Sequence, residues 1–374
     1  MTAERSRLTL ESRVPDGPQT FEFRTTDGVH SPDEFREGEL ALLEALWGRK
    51  LGTVLCLQAN YGVVGTVLAR SPTDVLMTET SVRASRLCRE NAERNDADAA
   101  VSLVESPAGM DASFDTCCYA PHEYTPIDVG KQRLVDGLST LDPGGRCYLA
   151  GRESGGVNRY ERCLNRHCPT VETIFERGEF HVVVGTAPES FDRSRYVEYR
   201  TVRTTVGGIE LTLATAPGLF SPTALDDGTR HLLETATVRD GQRVLDLCCG
   251  YGPVGAYAAR AADVEVVLAD DDVRATACAN RTLDRTGATG TVVPSDGIRQ
   301  IDGTFDHVLC NPPTHAGSGV LSELFGGVRD VLERDGTLSV VHHRKLDLDH
   351  QLRRVGEIVE RFEGENHTVV SVSP

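Results

Sequence analysis

The sequence predicts an α/β protein in which a mainly parallel sheet, covered by helices on both faces, is built twice in tandem. Three observations predict it. The 374 residues are long for one core and suit two domains of roughly 150–200 residues. Val54–Arg70 recurs as Val244–Arg260, at an offset of 190, with nine of 17 positions identical; chance at ordinary composition gives about one or two. Within each copy short apolar runs alternate with helical stretches, which is how a parallel sheet with crossover helices reads.

The register persists outside that block. Residues 30–46 lie over 220–236 and share Ser-Pro, a glycine and Leu-Leu-Glu. Downstream, with one residue inserted, Val82-Arg83-Ala84 matches Val273-Arg274-Ala275, Phe114-Asp115 matches Phe305-Asp306, Pro121 matches Pro312 and Gly145 matches Gly336. A whole domain has therefore been duplicated. The copies are placed at 1–190 and 191–374, with the join in the polar stretch 186–200 and a β-rich segment over 199–215 opening the second. In the second copy strands are predicted near 243–248, 265–269, 290–294, 305–310 and 336–342, and helices near 253–262, 272–287, 318–334 and 348–362. A sheet of this kind binds ligands at the carboxyl ends of its strands, where the strand order reverses.

Composition bounds the setting. The chain has 56 acidic and 39 basic side chains, a net charge of −17, and only three lysines, Lys50, Lys131 and Lys345. Many carboxylates with almost no lysine fit a protein bathed in concentrated salt, although a GC-rich genome gives the same arginine bias. Neither half is basic, with about −8 in residues 1–200 and −9 in 201–374, which taken alone argues against a nucleic-acid partner. No apolar run approaches the roughly 18–20 residues of a membrane span, and the first residues lack the apolar core of a signal peptide. The chain therefore reads as cytoplasmic, with no membrane partner. Eleven cysteines without a secretory signal make a disulfide framework unexpected. Cys163, His167 and Cys168 cluster locally but lack a second pair of ligands, so no metal is expected.

The chemistry concentrates in the second copy. Asp246-Leu-Cys-Cys-Gly250-Tyr-Gly252-Pro-Val-Gly255 follows an apolar strand and opens a helix; its glycines let the backbone approach a ligand. A glycine turn after a strand is weak evidence alone. Here, however, an acid precedes the glycines, where it suits a cationic ligand better than a pyrophosphate. Asp270 ends the next strand about 20 residues past Gly250, where a carboxylate accepts from ribose hydroxyls. Asp271 and Asp272 suit the start of the following helix, and Asp271 is also counted with the cofactor-binding set. Asp296, after the third strand, could reach an adenine amine or serve as a turn residue before Gly297. Asn311-Pro312-Pro313-Thr314 directly follows the fourth strand. The lone pair of an exocyclic amine on a base is delocalised into the ring; an asparagine carbonyl and a main-chain carbonyl that accept its two N–H bonds can hold it in line with an electrophilic methyl. Two prolines would keep those acceptors in place.

Together these features resemble the class I S-adenosyl-L-methionine-dependent methyltransferases, whose Rossmann-like fold has a seven-stranded, mainly parallel sheet. Within them, Ala216–Gly228 (APGLFSPTALDDG) and Asn311–Gly317 (NPPTHAG) resemble the ribosomal RNA guanine methyltransferases of the RsmC type, which are also tandem duplications with a degenerate first copy. The resemblance implies methyl transfer to the exocyclic amine of a guanine in ribosomal RNA of the small subunit, by a chain expected to be a monomer. By position it implies that Asp246, Gly250 and Gly252 line the methionine side of the cofactor, Asp270 holds its ribose, Asp296 lies by its adenine, and Asn311 and Pro312 hold the target amine. Two positions depart from the pattern. Thr314 stands where an aromatic usually stacks on the base, leaving Phe220, Tyr251 and His315 as candidates. Cys248 stands where the loop often has glycine, and is small enough for cofactor binding to survive. His342 and His343, near the site, are expected to be structural.

The first copy lacks this chemistry. Cys56 corresponds to Asp246, Asn60 to Gly250, Glu79 to Asp270 and Ala120-Pro121-His122 to Asn311-Pro312-Pro313, while Gly62 and Gly65 survive. It is expected to fold without activity, serving substrate binding or support. Other readings of the chain are methylation of a different planar amine (adenine, a glutamine amide or a small molecule) and a non-catalytic RNA-binding or assembly role.

Overall fold

A computed structural model of the chain describes residues 6–12, 17–70 and 73–374. It divides into two compact units that meet at Glu198 and Tyr199, within the polar stretch that the sequence marks as the join and eight residues beyond the predicted boundary.

The first unit opens with an antiparallel hairpin, β1 (Ser6–Glu11) and β2 (Thr20–Thr25). There follow α1 (Glu37–Leu46), β3 (Val54–Leu57), α2 (Val63–Leu68), β4 (Val75–Glu79), α3 (Val82–Arg94), β5 (Ala99–Leu103), β6 (Phe114–Tyr119), α4 (Ile127–Leu138), β7 (Leu141–Arg152), α5 (Val157–His167), β8 (Val171–Arg177) and β9 (Phe180–Thr186). Its sheet runs β5-β4-β3-β6-β7-β9-β8, parallel except for β9, which is antiparallel to both neighbours.

The second unit repeats the plan. A hairpin, β10 (Arg200–Val206) and β11 (Ile209–Thr215), precedes α6 (Asp227–Thr235), β12 (Arg243–Leu247), α7 (Pro253–Ala261), β13 (Glu265–Asp270), α8 (Val273–Thr286), β14 (Thr291–Pro294), β15 (Phe305–Cys310), α9 (Ser318–Val331), β16 (Leu332–His343), α10 (Asp349–Leu352), β17 (Glu357–Glu363) and β18 (His367–Ser373). The sheet order is β14-β13-β12-β15-β16-β18-β17. Its central strand β12 is buried on both faces. Val244, Leu309, Val341 and Val369 pack under the hairpin and helices α6 to α8, while Leu245, Leu247, Val308 and Leu338 pack under Phe325 and Val328 of α9.

Local sequence accounts for most element ends. The Asp272 side chain accepts from Arg274 N and caps α8, and Gly287, at φ +66°, ends it. In α8, Ala275, Cys278, Ala279 and Leu283 turn one buried face to the sheet at helical spacing. Side chains of the long helix tie the hairpin of each unit to it. Asn91 bonds the Arg24 N–H and carbonyl at 2.8 and 3.0 Å, and Thr282 accepts from Ala214 N at 2.9 Å.

The helix predicted over 348–362 is a correction. Only Asp349–Leu352 is helical, and Glu357–Glu363 is the edge strand β17. Gly356 lies so close to the Ser373 carbonyl that a Cβ would collide with it, and the chain enters β17 there, with Glu357 paired to Ser373 of β18. Short mixed runs such as EIVERFE satisfy either period, and here pairing with β18 decides it.

Candidate active site

The ends of β12, β13 and β15 converge where the strand order reverses. After Leu247 the chain turns sharply through Cys248 (φ +62°), Gly250 (φ +54°) and Gly252 (φ +80°) into α7. Cys248 thus holds a left-handed conformation that glycine adopts at lower cost; Gln58 of the first unit does the same at φ +52°. Gly252 also packs tightly, since a Cβ there would sit 3.0 Å from both Ala279 and Leu268.

Two carboxylates face this turn. Asp246 is buried and accepts from Gly255 N at 2.7 Å. Asp270 accepts from Gly250 N at 2.8 Å and from Asp272 N at 3.0 Å. Burial pushes both carboxyls up to about 7; the Asp270 charge adds to the rise at Asp246, and the Asp272 and Asp271 charges add to it at Asp270. Two acids held at this cost in one low-dielectric pocket are suited to a cationic ligand. Asp296 is buried beside Arg299, whose Nε lies 3.5 Å from its Oδ2, and its main chain is fixed by Gln300 at 2.9 Å. Asp271 is half-buried at the start of α8.

Across the pocket, Asn311 extends from β15. Its Nδ2 donates to Asp226 Oδ2 at 3.2 Å and to Thr229 Oγ1 at 2.9 Å. The sequence reading missed both partners, although Asp-x-x-Thr has the form of a helix N-cap: Asp226 Oδ2 accepts from Thr229 N at 2.8 Å. Pro312 is buried, Pro313 exposed and Thr314 half-buried. The Pro312 carbonyl, expected to accept from a target amine, already accepts from Thr314 N at 2.8 Å and keeps its second lone pair. His315 is exposed, and Phe220 is 63% exposed, so both are open to a ligand. Tyr251 is a correction: its ring is buried and its hydroxyl donates to the Ala224 carbonyl at 3.2 Å. It clamps the segment before α6 instead of offering a stacking face. Arg274 pins the same segment at the Pro217 carbonyl, 2.6 Å away. His342 bonds the His343 carbonyl at 3.1 Å. Cys163 and His167 both meet the Tyr196 hydroxyl, at 3.5 and 3.2 Å.

The first unit keeps the scaffold and fills the site. Tyr61 donates to the Glu34 carbonyl at 3.0 Å and Arg83 to the Asp27 carbonyl at 2.8 Å, repeating the Tyr251 and Arg274 contacts. Glu79 accepts from Asn60 N at 2.6 Å and is pushed by burial up to about 7. The Asn60 carboxamide bonds both main-chain groups of His30, at 3.0 and 2.8 Å. His30 lies on His122 with ring centroids 3.7 Å apart. Arg36, in the place of Asp226, donates to the Ala120 and Pro121 carbonyls at 2.9 and 2.7 Å. The chain's own guanidinium thus occupies the main-chain acceptors.

A seven-stranded sheet of this order, with acids at the carboxyl-terminal part of its first two strands and Asn-Pro-Pro directly after its fourth, defines a class I methyltransferase. The chain belongs to the methyltransferase small domain family, which matches residues 20–184 and again 210–371. Among curated relatives, the ribosomal RNA small subunit methyltransferase C of Pseudoalteromonas atlantica is 28% identical over 67% of this chain and 75% of its own length. That of Cronobacter sakazakii is 32% identical over 50% of this chain, so the chain spans about half of that relative (53%). The T. thermophilus 16S rRNA N2 G1207 methyltransferase (RsmC), solved in complex with AdoMet and guanosine, superposes with a TM-score of 0.79 over 94% of this chain and 95% of its own, at 22% identity. At that identity the likeness speaks for the fold.

Proposed function

We propose that the second unit transfers a methyl group from S-adenosylmethionine to the exocyclic amine of a guanine in small-subunit ribosomal RNA. The observation that carries this reading is Asn311, held at the strand switch point with its amide N–H bonds engaged by Asp226 and Thr229 and its Oδ1 left to accept. The relatives' printed names supply the RNA, and the small-subunit enzyme of T. thermophilus supplies the guanine.

The residues present fit the cofactor. Asp246 and Asp270 supply negative charge for the cationic methionine end and acceptors for the ribose, the loop from Cys248 to Gly252 offers a close backbone approach, and Asp271 and Asp296 border it. When bound, S-adenosylmethionine supplies an electrophilic methyl on a sulfonium. The chain's part is to orient the amine. Asn311 Oδ1 and the free lone pair of the Pro312 carbonyl accept its N–H bonds, which fixes the amine so that its lone pair, perpendicular to the ring and drawn out of conjugation as the bond forms, points at the methyl. Pro313 stiffens the loop, and Phe220, with Thr314 and His315 beside the loop, offers the base a face. The amine's proton leaves to solvent after transfer, so no general base is required.

The first unit serves RNA binding or support of the second. We place the protein in the cytoplasm of a halophilic archaeon, acting as a monomer. Its acidic, lysine-poor surface supports that setting, and in molar salt the Debye length is only about 3 Å, so repulsion from RNA is screened. Mass spectrometry of ribosomal RNA from a deletion strain tests the substrate. Loss of one N2-methylguanine is expected, and persistence of every methylated guanine refutes it.

A further inference from the structure

We infer that Asp226 and Thr229 are positioning residues that fix which way round the Asn311 carboxamide sits; this rests on the reading of Asn311 as the amine acceptor. An asparagine side chain has two ends of nearly the same shape, and only the oxygen can accept from an amine. Turned over, Asn311 would present N–H bonds to the target's N–H bonds and hold nothing.

The three side chains exclude that orientation by proton count. The Asp226 carboxylate has only lone pairs to offer. It accepts from Thr229 N at 2.8 Å and from Thr229 Oγ1 at 3.2 Å. The threonine hydroxyl has thereby given its one proton to Asp226, and it turns a lone pair to Asn311. Asn311 thus faces two acceptors, Asp226 Oδ2 at 3.2 Å and Thr229 Oγ1 at 2.9 Å, and only its NH2 end satisfies them. Both amide protons are committed and Oδ1 is directed outward. Thr229 is buried, so water does not compete for the hydroxyl.

The first unit supplies an independent line. At the three corresponding positions it carries Arg36, Glu39 and Ala120, so all three members have changed in the copy without the acceptor. Helix α1 still forms there with no side-chain bond at its N-cap. A helix thus forms at this place in the first unit without the Asp–Thr pair, and the scaffold contacts of Tyr61 and Arg83 are kept.

The test uses the full chain and methyl incorporation from labelled S-adenosylmethionine into small ribosomal subunits from a deletion strain. Thr229→Val keeps the shape and the capping N–H but removes the acceptor. Asp226→Ser keeps a good cap on a side chain too short to reach Asn311. Each is expected to lower kcat about tenfold, the worth of one orienting hydrogen bond, with KM for the subunit and Kd for S-adenosylmethionine within about twofold of the parent. Thr229→Ser is expected to restore turnover. If Asn311→Ala is inactive while Thr229→Val and Asp226→Ser turn over normally, or raise KM with kcat kept, the positioning role is overturned. If Asn311→Ala itself turns over normally, the acceptor reading fails and takes this inference with it.

Discussion

Replacing Asp246 by asparagine is expected to stabilise the protein and to weaken its cofactor binding. The carboxyl is buried and, among the described residues, has Gly255 N at 2.7 Å as its one N–H partner, and burial lifts it to about 7 from an ordinary 3.8. Because the folded state then binds its proton more tightly than the unfolded chain, the stability cost is absent below pH 4. It grows between pH 4 and 7 and is complete above 7. The difference corresponds to about 4 kcal/mol, an upper bound on what Asp246→Asn can return at pH 8. Asparagine still accepts from Gly255 N, so the local backbone is kept. Loss of a charged partner to a cationic ligand costs about 1.5–3 kcal/mol, or roughly 10–100-fold in Kd. The assay is thermal melting at pH 6 and pH 8, following the transition that S-adenosylmethionine shifts, with titration calorimetry for Kd. The variant should melt above the parent at pH 8, by a smaller but still positive margin at pH 6, and should bind the cofactor more weakly. A variant that melts below the parent at pH 8, or binds as tightly, would refute the argument that this carboxylate is held at a stability cost for a cation.

Binding of the cation should pull Asp246 and Asp270 down from about 7 and release protons near neutrality. Calorimetric enthalpies at pH 7 in phosphate and in Tris should therefore differ, and equal enthalpies would contradict it. Phe220→Ala should raise KM for the RNA substrate about tenfold, as loss of one stacked base does, with S-adenosylmethionine affinity unchanged and Phe220→Trp close to the parent; an unchanged KM would remove Phe220 from the substrate site. Gly255→Ala drives a Cβ to within 2.5 Å of Leu268 and should cost about 1–3 kcal/mol in chemical denaturation, and a neutral result would show that Leu268 moves freely. Arg36→Ala leaves the buried Glu39 carboxylate without its partner at 3.1 Å and should destabilise the first unit by about 3–5 kcal/mol while the calorimetric stoichiometry for S-adenosylmethionine stays the same.

Both sheets and the chemistry-bearing turns were legible because they depend on local pattern. Val244–Leu247 is a run of buried strand residues, and Asp246, Asp270 and Asn311 lie at or beside the carboxyl ends of strands that the duplication marks twice. What was not legible depends on tertiary partners. The reading of 348–362 as helix failed because seven residues of mixed polarity carry no preference until β18 lies beside them. Tyr251 passed for a stacking residue because a tyrosine in a glycine loop looks the same in sequence whether its ring is open or its hydroxyl is tied to Ala224. Arg36 was not singled out, since nothing near it announces that its guanidinium will reach carbonyls 84 and 85 residues away. Asp226 and Thr229 could have been found, because their cap spacing begins inside the segment that carried the family resemblance and ends one residue beyond it.

The tyrosine and arginine clamps that both units retain make the molecule its own matched blank. A ligand, label or denaturant that acts at the second unit meets, 190 residues upstream, the same strand order and clamps with the acceptors occupied by Arg36. A signal from both units reports on the shared scaffold. One confined to the second reports on the carboxylates and the asparagine, and no separate inactive variant is needed to tell the two apart.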